Sequence, residues 1–184
     1  MPSEKWQTGW MESFHPVYTK KFLICPPWEL EEPQKGQERL IINPGMAFGT
    51  GQHETTQICL KLLEALNKDP ETLSPCLDVG TGSGILAIAA AKIGITSIYA
   101  SDIDPHALQS TQENARENHV NLHFFQGSLP PEKGFKLLFA NILAVTIIPL
   151  LKNFYEKMAY GGELILSGIL EEELVEVKEE AEKQ

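Results

Sequence analysis

The sequence is short of several features that would place it in a special class of protein. Its 184 residues include only three cysteines, Cys25, Cys59 and Cys76, whose spacing matches no metal motif and whose odd number does not suit a disulfide framework. We expect them to be reduced, mostly buried thiols. No apolar run approaches the roughly 18 residues that a membrane helix needs. The first residues, MPSEKWQTGW, lack the basic start and apolar core of a signal peptide, which predicts a cytoplasmic protein.

Positive charge is also scarce. Fifteen lysines and arginines face 25 acidic residues, so the net charge is -10. This balance argues against nucleic acid as a direct ligand. It is compatible with a basic protein partner, although many acidic enzymes have none. The hydrophobic share of 42% and the length predict one soluble globular domain with a full core.

The pattern of apolar residues divides the chain near residue 40. Residues 1–39 have little periodicity and predict a linker-like segment with one short strand, Phe22–Cys25. In residues 40–184, a helix starting near Glu54, with Thr55 or Thr56 as its cap, precedes five strands that alternate with helices. The last of these helices is predicted over the acidic residues 170–183. Such alternation predicts an α/β fold, a doubly wound and mostly parallel sheet in a three-layer, Rossmann-like sandwich. The predicted strands are CLDVG (76–80), SIYASD (97–102), NLHFFQG (121–127), KLLFANI (136–142) and GELILSG (162–168).

A glycine-rich turn follows the first of these strands. In DVGTGSG, the three glycines Gly80, Gly82 and Gly84 allow a sharp turn and a close approach of a ligand to the backbone. The helix that follows offers free N–H groups and a positive dipole end. The pattern is not the G-x-G-x-x-G of dinucleotide enzymes, because Ile85 stands where the third glycine would come.

Two aspartates follow the second strand. Asp102 lies 20 residues beyond Gly82, where nucleotide-binding α/β folds place a carboxylate that binds ribose hydroxyls. Alternatively, Asp102 and Asp104 both serve the start of the next helix, which has Pro105 at its first position. We favour a division in which Asp104 caps the helix and Asp102 binds ribose, so that turn and acid together indicate a nucleoside ligand.

The ends of the other strands carry less specific signals. Asn141 ends the fourth strand, where an amide can bind the polar groups of a ligand or position an attacking amine; a turn-forming asparagine is the alternative. Residues 127–129 end the third strand, where either an adenine ring or a plain loop is expected. Upstream, NPGMAFGTGQHETT (43–56) has more glycine, histidine and threonine than a helix or strand needs.

Taken together, six segments resemble the PrmA family of class I S-adenosylmethionine methyltransferases. They are PGMAFGTGQHETT, LDVGTGSGILAIAAAK, SDIDPHAL, NARENHV, FANILA and GGELILSGIL, and the likeness runs from about residue 6 to about residue 172. The most specific part is the combination of AFGTG-x-H-x-TT with NIL. The resemblance implies S-adenosylmethionine as cofactor and methylation of lysine and N-terminal amino groups of ribosomal protein L11.

The resemblance also implies a set of site residues. The 43–56 loop would fold over the cofactor, which Thr56, Gly80, Gly82 and Asp102 would contact, with Asn141 at its methionine end. Phe48 would line the pocket, since an aromatic face suits a sulfonium cation. No catalytic acid, base or metal is expected beyond positioning by Asn141. His53 is either a base or, as we favour, a structural loop histidine.

The sequence departs from the family at both ends. Family members carry a substrate-recognition domain before the methyltransferase domain and continue past the final helix, and we expect this sequence to lack both, including the last hairpin of the sheet. The fifth strand would then have an exposed edge through which a homodimer could form. Two other functions remain open: a cofactor-binding module with another or lost substrate and, less favoured, a nicotinamide-dependent oxidoreductase.

Overall fold

The computed structural model describes residues 15–29, 31–43 and 51–184, and these form two sheets with helices packed around the larger one. The strands are β1 Val17–Tyr18, β2 Phe22–Cys25, β3 Glu38–Ile41, β4 Cys76–Val79, β5 Ile98–Asp102, β6 His123–Gln126, β7 Phe135–Asn141 and β8 Met158–Ser167. The helices are α1 Glu54–Ala65, α2 Ile85–Lys92, α3 Pro105–Glu117, α4 Ala144–Lys157 and α5 Leu174–Ala181, with short 3-10 turns at Pro70–Leu73 and Glu171–Glu173.

The larger sheet has the order β6-β5-β4-β7-β8, and its paired strands are all parallel. Successive side chains of a strand point to opposite faces, and β4 and β7 supply apolar residues to both. On one face, Cys76, Leu137 and Phe139 join a core with α1 and α2; on the other, Leu77 and Leu138 pack with α4 and α5. This is the predicted three-layer α/β sandwich. Its strand order reverses between β4 and β7, the place where ligands bind such sheets.

The smaller sheet gives the first 39 residues more regular structure than the sequence predicted. One short strand was predicted there, but β1 pairs antiparallel with β2, and β2 pairs in parallel with β3 across the predicted boundary at residue 40. Phe22, Ile24 and Leu40 are buried in the same core as α1 and α2. The described part of this segment is therefore packed structure rather than a linker. The sequence did not show β1 because two residues are too few to make a pattern.

Two helix boundaries also differ from expectation. The cap of α1 is His53, not Thr55 or Thr56: His53 has an extended backbone, and its ring accepts a hydrogen bond from the Thr55 N–H. The last helix, predicted as one piece over residues 170–183, is divided into a 3-10 turn and α5. By contrast, Asp104 caps α3 as predicted, with Pro105 in its first turn.

Two negative findings apply to the described part of the chain. None of its helices is long and apolar enough to cross a membrane. None of its clusters of His, Cys, Asp or Glu side chains is arranged to hold a metal ion.

All three cysteines are buried and unbonded to one another, and burial raises the pKa of the Cys59 thiol to about 11. The prediction of reduced, buried thiols is confirmed.

Candidate functional site

The glycine turn between β4 and α2 has the backbone that its composition predicted. Gly80, Gly82 and Gly84 have φ angles of 66°, 56° and 83°, in the left-handed region that favours glycine. Space is short as well: a Cβ at Gly80 would lie 2.5 Å from the Ile142 side chain, and a Cβ at Gly84 would lie 2.5 Å from that of Thr111. Both positions therefore exclude any larger residue. The turn can therefore fold tightly against Ile142 and Thr111 directly after β4.

Asp78 holds this turn from inside. It lies in the middle of the apolar run of β4 and is only 1% exposed. Its Oδ2 accepts hydrogen bonds from Thr81 Oγ1 at 2.8 Å and from the Ala87 N–H at 3.2 Å. Burial, with a smaller contribution from the negative charge of Asp102, raises the pKa of Asp78 to about 6. One carboxylate thus connects the strand, the turn and the first residues of α2.

Asp102 stands across the turn at the end of β5. Its Oδ2 accepts a hydrogen bond from the Gly82 N–H at 3.1 Å, and its Oδ1 accepts one from the Asp104 N–H at 3.0 Å. Asp104 accepts from the His106 N–H at 2.9 Å as the helix cap. Asp102 is half-buried, and each carboxylate oxygen has a second lone pair. The carboxylate therefore stabilises the turn and can still accept further hydrogen bonds.

Asn141 meets Thr56 on the same side of the sheet. Asn141 has the same parity along β7 as Leu137 and Phe139, so its side chain faces α1 and α2. Its Nδ2 donates a hydrogen bond to Thr56 Oγ1 at 3.2 Å. Its Oδ1 is buried and has no hydrogen-bond partner among the described residues. A buried amide oxygen without a donor is uncommon, so this atom indicates a place for a ligand's N–H or O–H group.

These groups border one small open pocket. Thr56, Gly80 and Asn141 line it together with Asp78, Thr81, Ile85 and Leu86. Nearby, Ser167 Oγ at the end of β8 donates a hydrogen bond to the Thr55 carbonyl at 3.3 Å, which joins that strand to the first turn of α1. The ends of three neighbouring strands thus fix the pocket and the start of α1 relative to one another.

The remaining predicted residues are placed less centrally. His53 is exposed and contacts Thr55, its Nδ1 lying 2.9 Å from Thr55 Oγ1, which is the structural role that we favoured. Phe48 lies outside the described residues, so its place in the pocket stays a prediction. Gly127 donates its N–H to the Asp102 carbonyl at 2.8 Å. That contact brings residues 127–129 to the same edge of the sheet, but their contact with adenine also stays a prediction.

The whole chain, residues 1–184, matches the family model described as ribosomal protein L11 methyltransferase (PrmA). The chain belongs to this family. Among curated relatives, the ribosomal protein L11 methyltransferase of Trichlorobacter lovleyi is 44% identical over 176 residues, covering 92% of this chain and 58% of that protein. The one from Legionella pneumophila strain Philadelphia 1 is 39% identical, covering 94% of this chain and 60% of the relative.

A solved structure of this PrmA family matches as well. The crystal structure of a ribosomal protein L11 methylase from Lactobacillus delbrueckii subsp. bulgaricus superposes with a TM-score of 0.84 at 33% identity. The match covers 92% of this chain and 88% of that one. The methyltransferase fold is therefore shown, and nothing supports the oxidoreductase alternative. This PrmA chain spans about three fifths of the length of the curated relatives it matches.

Three polar residues that shape the site of this PrmA chain were not among the site residues predicted from the sequence. Asp78 and Thr81 belong to the quoted DVGTGSG, and a carboxylate inside an apolar strand was a signal that could have indicated the first of them. Asn114, in α3, is 2% exposed and binds the turn at Ser83. Its position in an otherwise ordinary helix offered no local signal, because the groups it binds are distant in sequence.

Proposed function

We propose that this chain is the cofactor-binding and catalytic part of an S-adenosylmethionine-dependent protein N-methyltransferase. Its substrate would be a ribosomal protein of L11 type, methylated on lysine side chains and the N-terminal amino group. The observation that carries the proposal is the unpartnered Oδ1 of Asn141, buried beside a glycine turn and Thr56 in a chain of this family. A nicotinamide cofactor would not explain the L11 methyltransferase relatives.

The residues present fit the cofactor. Gly80 lines the pocket and, like Gly82, has the left-handed backbone that the turn requires, and Asp102 retains lone pairs for the two ribose hydroxyls. Asn141 Oδ1 would accept a hydrogen bond from an N–H group at the methionine end of the cofactor. Thr56 Oγ1 would keep the amide oriented by accepting the hydrogen bond from Asn141 Nδ2. Phe48 would cover the sulfonium. These assignments are supported by the geometry of the five described residues and by their match to the family motif.

The chemistry asks little of the protein beyond positioning. When bound, S-adenosylmethionine supplies a methyl group that is already strongly electrophilic. The residues of this chain would hold the cofactor, exclude water and orient a neutral amine towards that methyl group. A dedicated acid is unnecessary, and solvent accepts the proton that the amine loses. His53, which caps α1, is therefore not required as a base.

The test is methyl transfer with purified components. Incubating the chain with radiolabelled S-adenosylmethionine and ribosomal protein L11 should label the substrate, and acid hydrolysis followed by chromatography should recover methylated lysine. A bacterial lysate serves as the wider substrate pool. Cofactor binding without label in any protein would instead support a cofactor-binding module whose substrate is another one or lost. Absence of cofactor binding would overturn the proposal entirely.

The same proposal covers recognition and assembly. We expect recognition of the ribosomal protein to need a surface much larger than the pocket, because docking a protein takes about 800 Å² per partner. The edge of β8 opposite β7 is unpaired among the described residues, and we propose that two copies of this chain pair there. A cytoplasmic location follows from a ribosomal substrate.

A further inference from the structure

One face of α3 binds the backbone of two separate segments through buried polar side chains. Thr111 is fully buried, and Asn114 and Asn118 are each 2% exposed. Thr111 Oγ1 donates to the Gly82 carbonyl at 2.9 Å, and Asn118 exchanges two hydrogen bonds with the backbone of Ile41, at 2.9 and 2.6 Å. Buried amides in such positions are costly unless paired, so these bonds define where the segments lie.

Asn114 is the member of this set that joins the two segments. Its Oδ1 accepts a hydrogen bond from the Asn43 N–H at 2.9 Å, just beyond the end of β3. Its Nδ2 donates to the Ser83 carbonyl at 2.8 Å, within the glycine turn. A single planar amide thus fixes the distance between the end of the small sheet and the turn.

Gly51, where the described chain resumes after residues 44–50, also lies near the glycine turn. Gly51 is buried with a φ of 86°, and a Cβ there would lie 2.8 Å from Ile24 and 3.2 Å from Ile85. Ile85 is the first residue of α2, directly after the turn. Five residues later, Thr56 reaches Asn141. Asn43 is therefore linked to the glycine turn through Asn114, and Gly51 lies close to Ile85, the residue that follows the turn.

We propose that Asn114 is a positioning residue for the cofactor: it holds the glycine turn at Ser83 at a fixed distance from Asn43, just beyond the end of β3. The proposal rests on the proposed function, since the ligand is S-adenosylmethionine. Losing the amide would remove the hydrogen bond that it makes to the Ser83 carbonyl and the one it accepts from the Asn43 N–H, and would let the turn shift relative to the end of β3. The cofactor would then have to order the turn on binding, which weakens its affinity.

Asn118 provides a matched control for this role. It is the same residue type and equally buried, and it follows α3 directly as its C-cap, four residues beyond Asn114. It also binds the β3 strand, at Ile41, but none of its hydrogen bonds among the described residues goes to the glycine turn. A purely structural role for Asn114 would make the two asparagines equivalent. A positioning role separates them in ligand affinity while leaving them similar in stability.

The experiment compares wild type, Asn114→Ala and Asn118→Ala by thermal unfolding and by calorimetric titration with S-adenosylhomocysteine. Both variants should lower Tm by similar amounts, but only Asn114→Ala should raise Kd, by about fivefold to tenfold, the effect of one lost neutral hydrogen bond. Equal changes of Kd in the two variants, or an unchanged Kd in Asn114→Ala, would overturn the inference. Failure of the wild type to bind at all would instead overturn the proposed function on which it rests.

A measurement on the wild type alone covers the case in which Asn114→Ala does not fold. Coupling is reciprocal, so a ligand that benefits from the Asn114 bridge must also strengthen it. Hydrogen exchange of the Asn43 amide should slow when S-adenosylhomocysteine is added. In Asn114→Asp, which keeps the acceptor for Asn43 but loses the donor to Ser83, that slowing should shrink. Unchanged Asn43 exchange in the wild type on ligand addition contradicts the inference.

Discussion

Asn141 Nδ2 donates a hydrogen bond to Thr56 Oγ1 over 3.2 Å, although 85 residues separate the two in sequence. The contact joins the carboxyl end of β7 to the first turn of α1. It uses the donor side of the amide and fixes its orientation, so the Oδ1 atom is left buried and unpartnered. A paired donor and an unpaired acceptor on one amide make this the most direct structural sign of a ligand site in the described residues.

The first prediction concerns this amide. Asn141→Ala should raise the Kd for S-adenosylmethionine by about tenfold, because a hydrogen bond to a charged amine contributes about 1.5 kcal/mol or more. The rate of methyl transfer should fall as well, since the methionine end loses its anchor. Calorimetry and a radiolabel assay would measure both. Asn121→Ala, at an exposed asparagine on the chain between α3 and β6, is the control and should change neither.

The second prediction separates the two aspartates after β5. Asp102→Ala should weaken cofactor binding about thirtyfold, or about 2 kcal/mol, and Asp102→Asn should weaken it less, because the amide oxygen still accepts a bond. Asp104→Ala should instead lower stability by about 1 kcal/mol through the lost helix cap and leave affinity unchanged. Titration and denaturant unfolding distinguish these effects. Equal affinity in Asp102→Ala and wild type would make Asp102 a turn residue only.

The third prediction is a pH dependence that originates in Asp78. Its pKa of about 6 lies above the ordinary aspartate value of 3.8, so the folded protein holds this proton more tightly than the unfolded chain does. The contribution of Asp78 to stability is therefore largest below pH 4 and declines as pH rises towards and through 6, by about 3 kcal/mol in all. Asp78→Asn should remove this decline. Unfolding free energies of both proteins between pH 4 and 8 would show it as a difference in slope.

The fourth prediction concerns the free edge of β8. If two copies pair there, sedimentation should show a dimer, and Leu164→Lys should shift it towards monomer by placing like charges at the edge. Leu164 is 36% exposed on this strand. Tyr155→Lys, at an exposed position on α4, is the control and should leave the dimer intact. A wild-type protein that sediments as a monomer at all concentrations would show that the edge does not self-associate.

Most of the fold was predictable because its signals are local. Apolar runs of strand length alternate with helical periodicity from Cys76 onwards. Asp104 followed by Pro105 correctly predicted the start of α3. The exceptions show where local signals end. His53, Thr55 and Thr56 all have side chains able to cap a helix, and only the backbone, extended at His53, decides among them. The strand β1 is two residues long, so its existence depends on pairing with β2.

The features of the candidate site also fall into those that local sequence predicts and those that only packing decides. By itself the sequence determined the glycine turn, the positions of Asp102 and Asn141 at strand ends, and the family, because spacing along a β-α-β unit places such residues at one sheet edge. Tertiary structure alone decided what each group does there. Burial raises the pKa of Asp78, the approach of α1 brings Thr56 to Asn141, and Asn114 connects Ser83 with Asn43. These relationships depend on distances between segments far apart in the chain, which packing sets and no local pattern encodes.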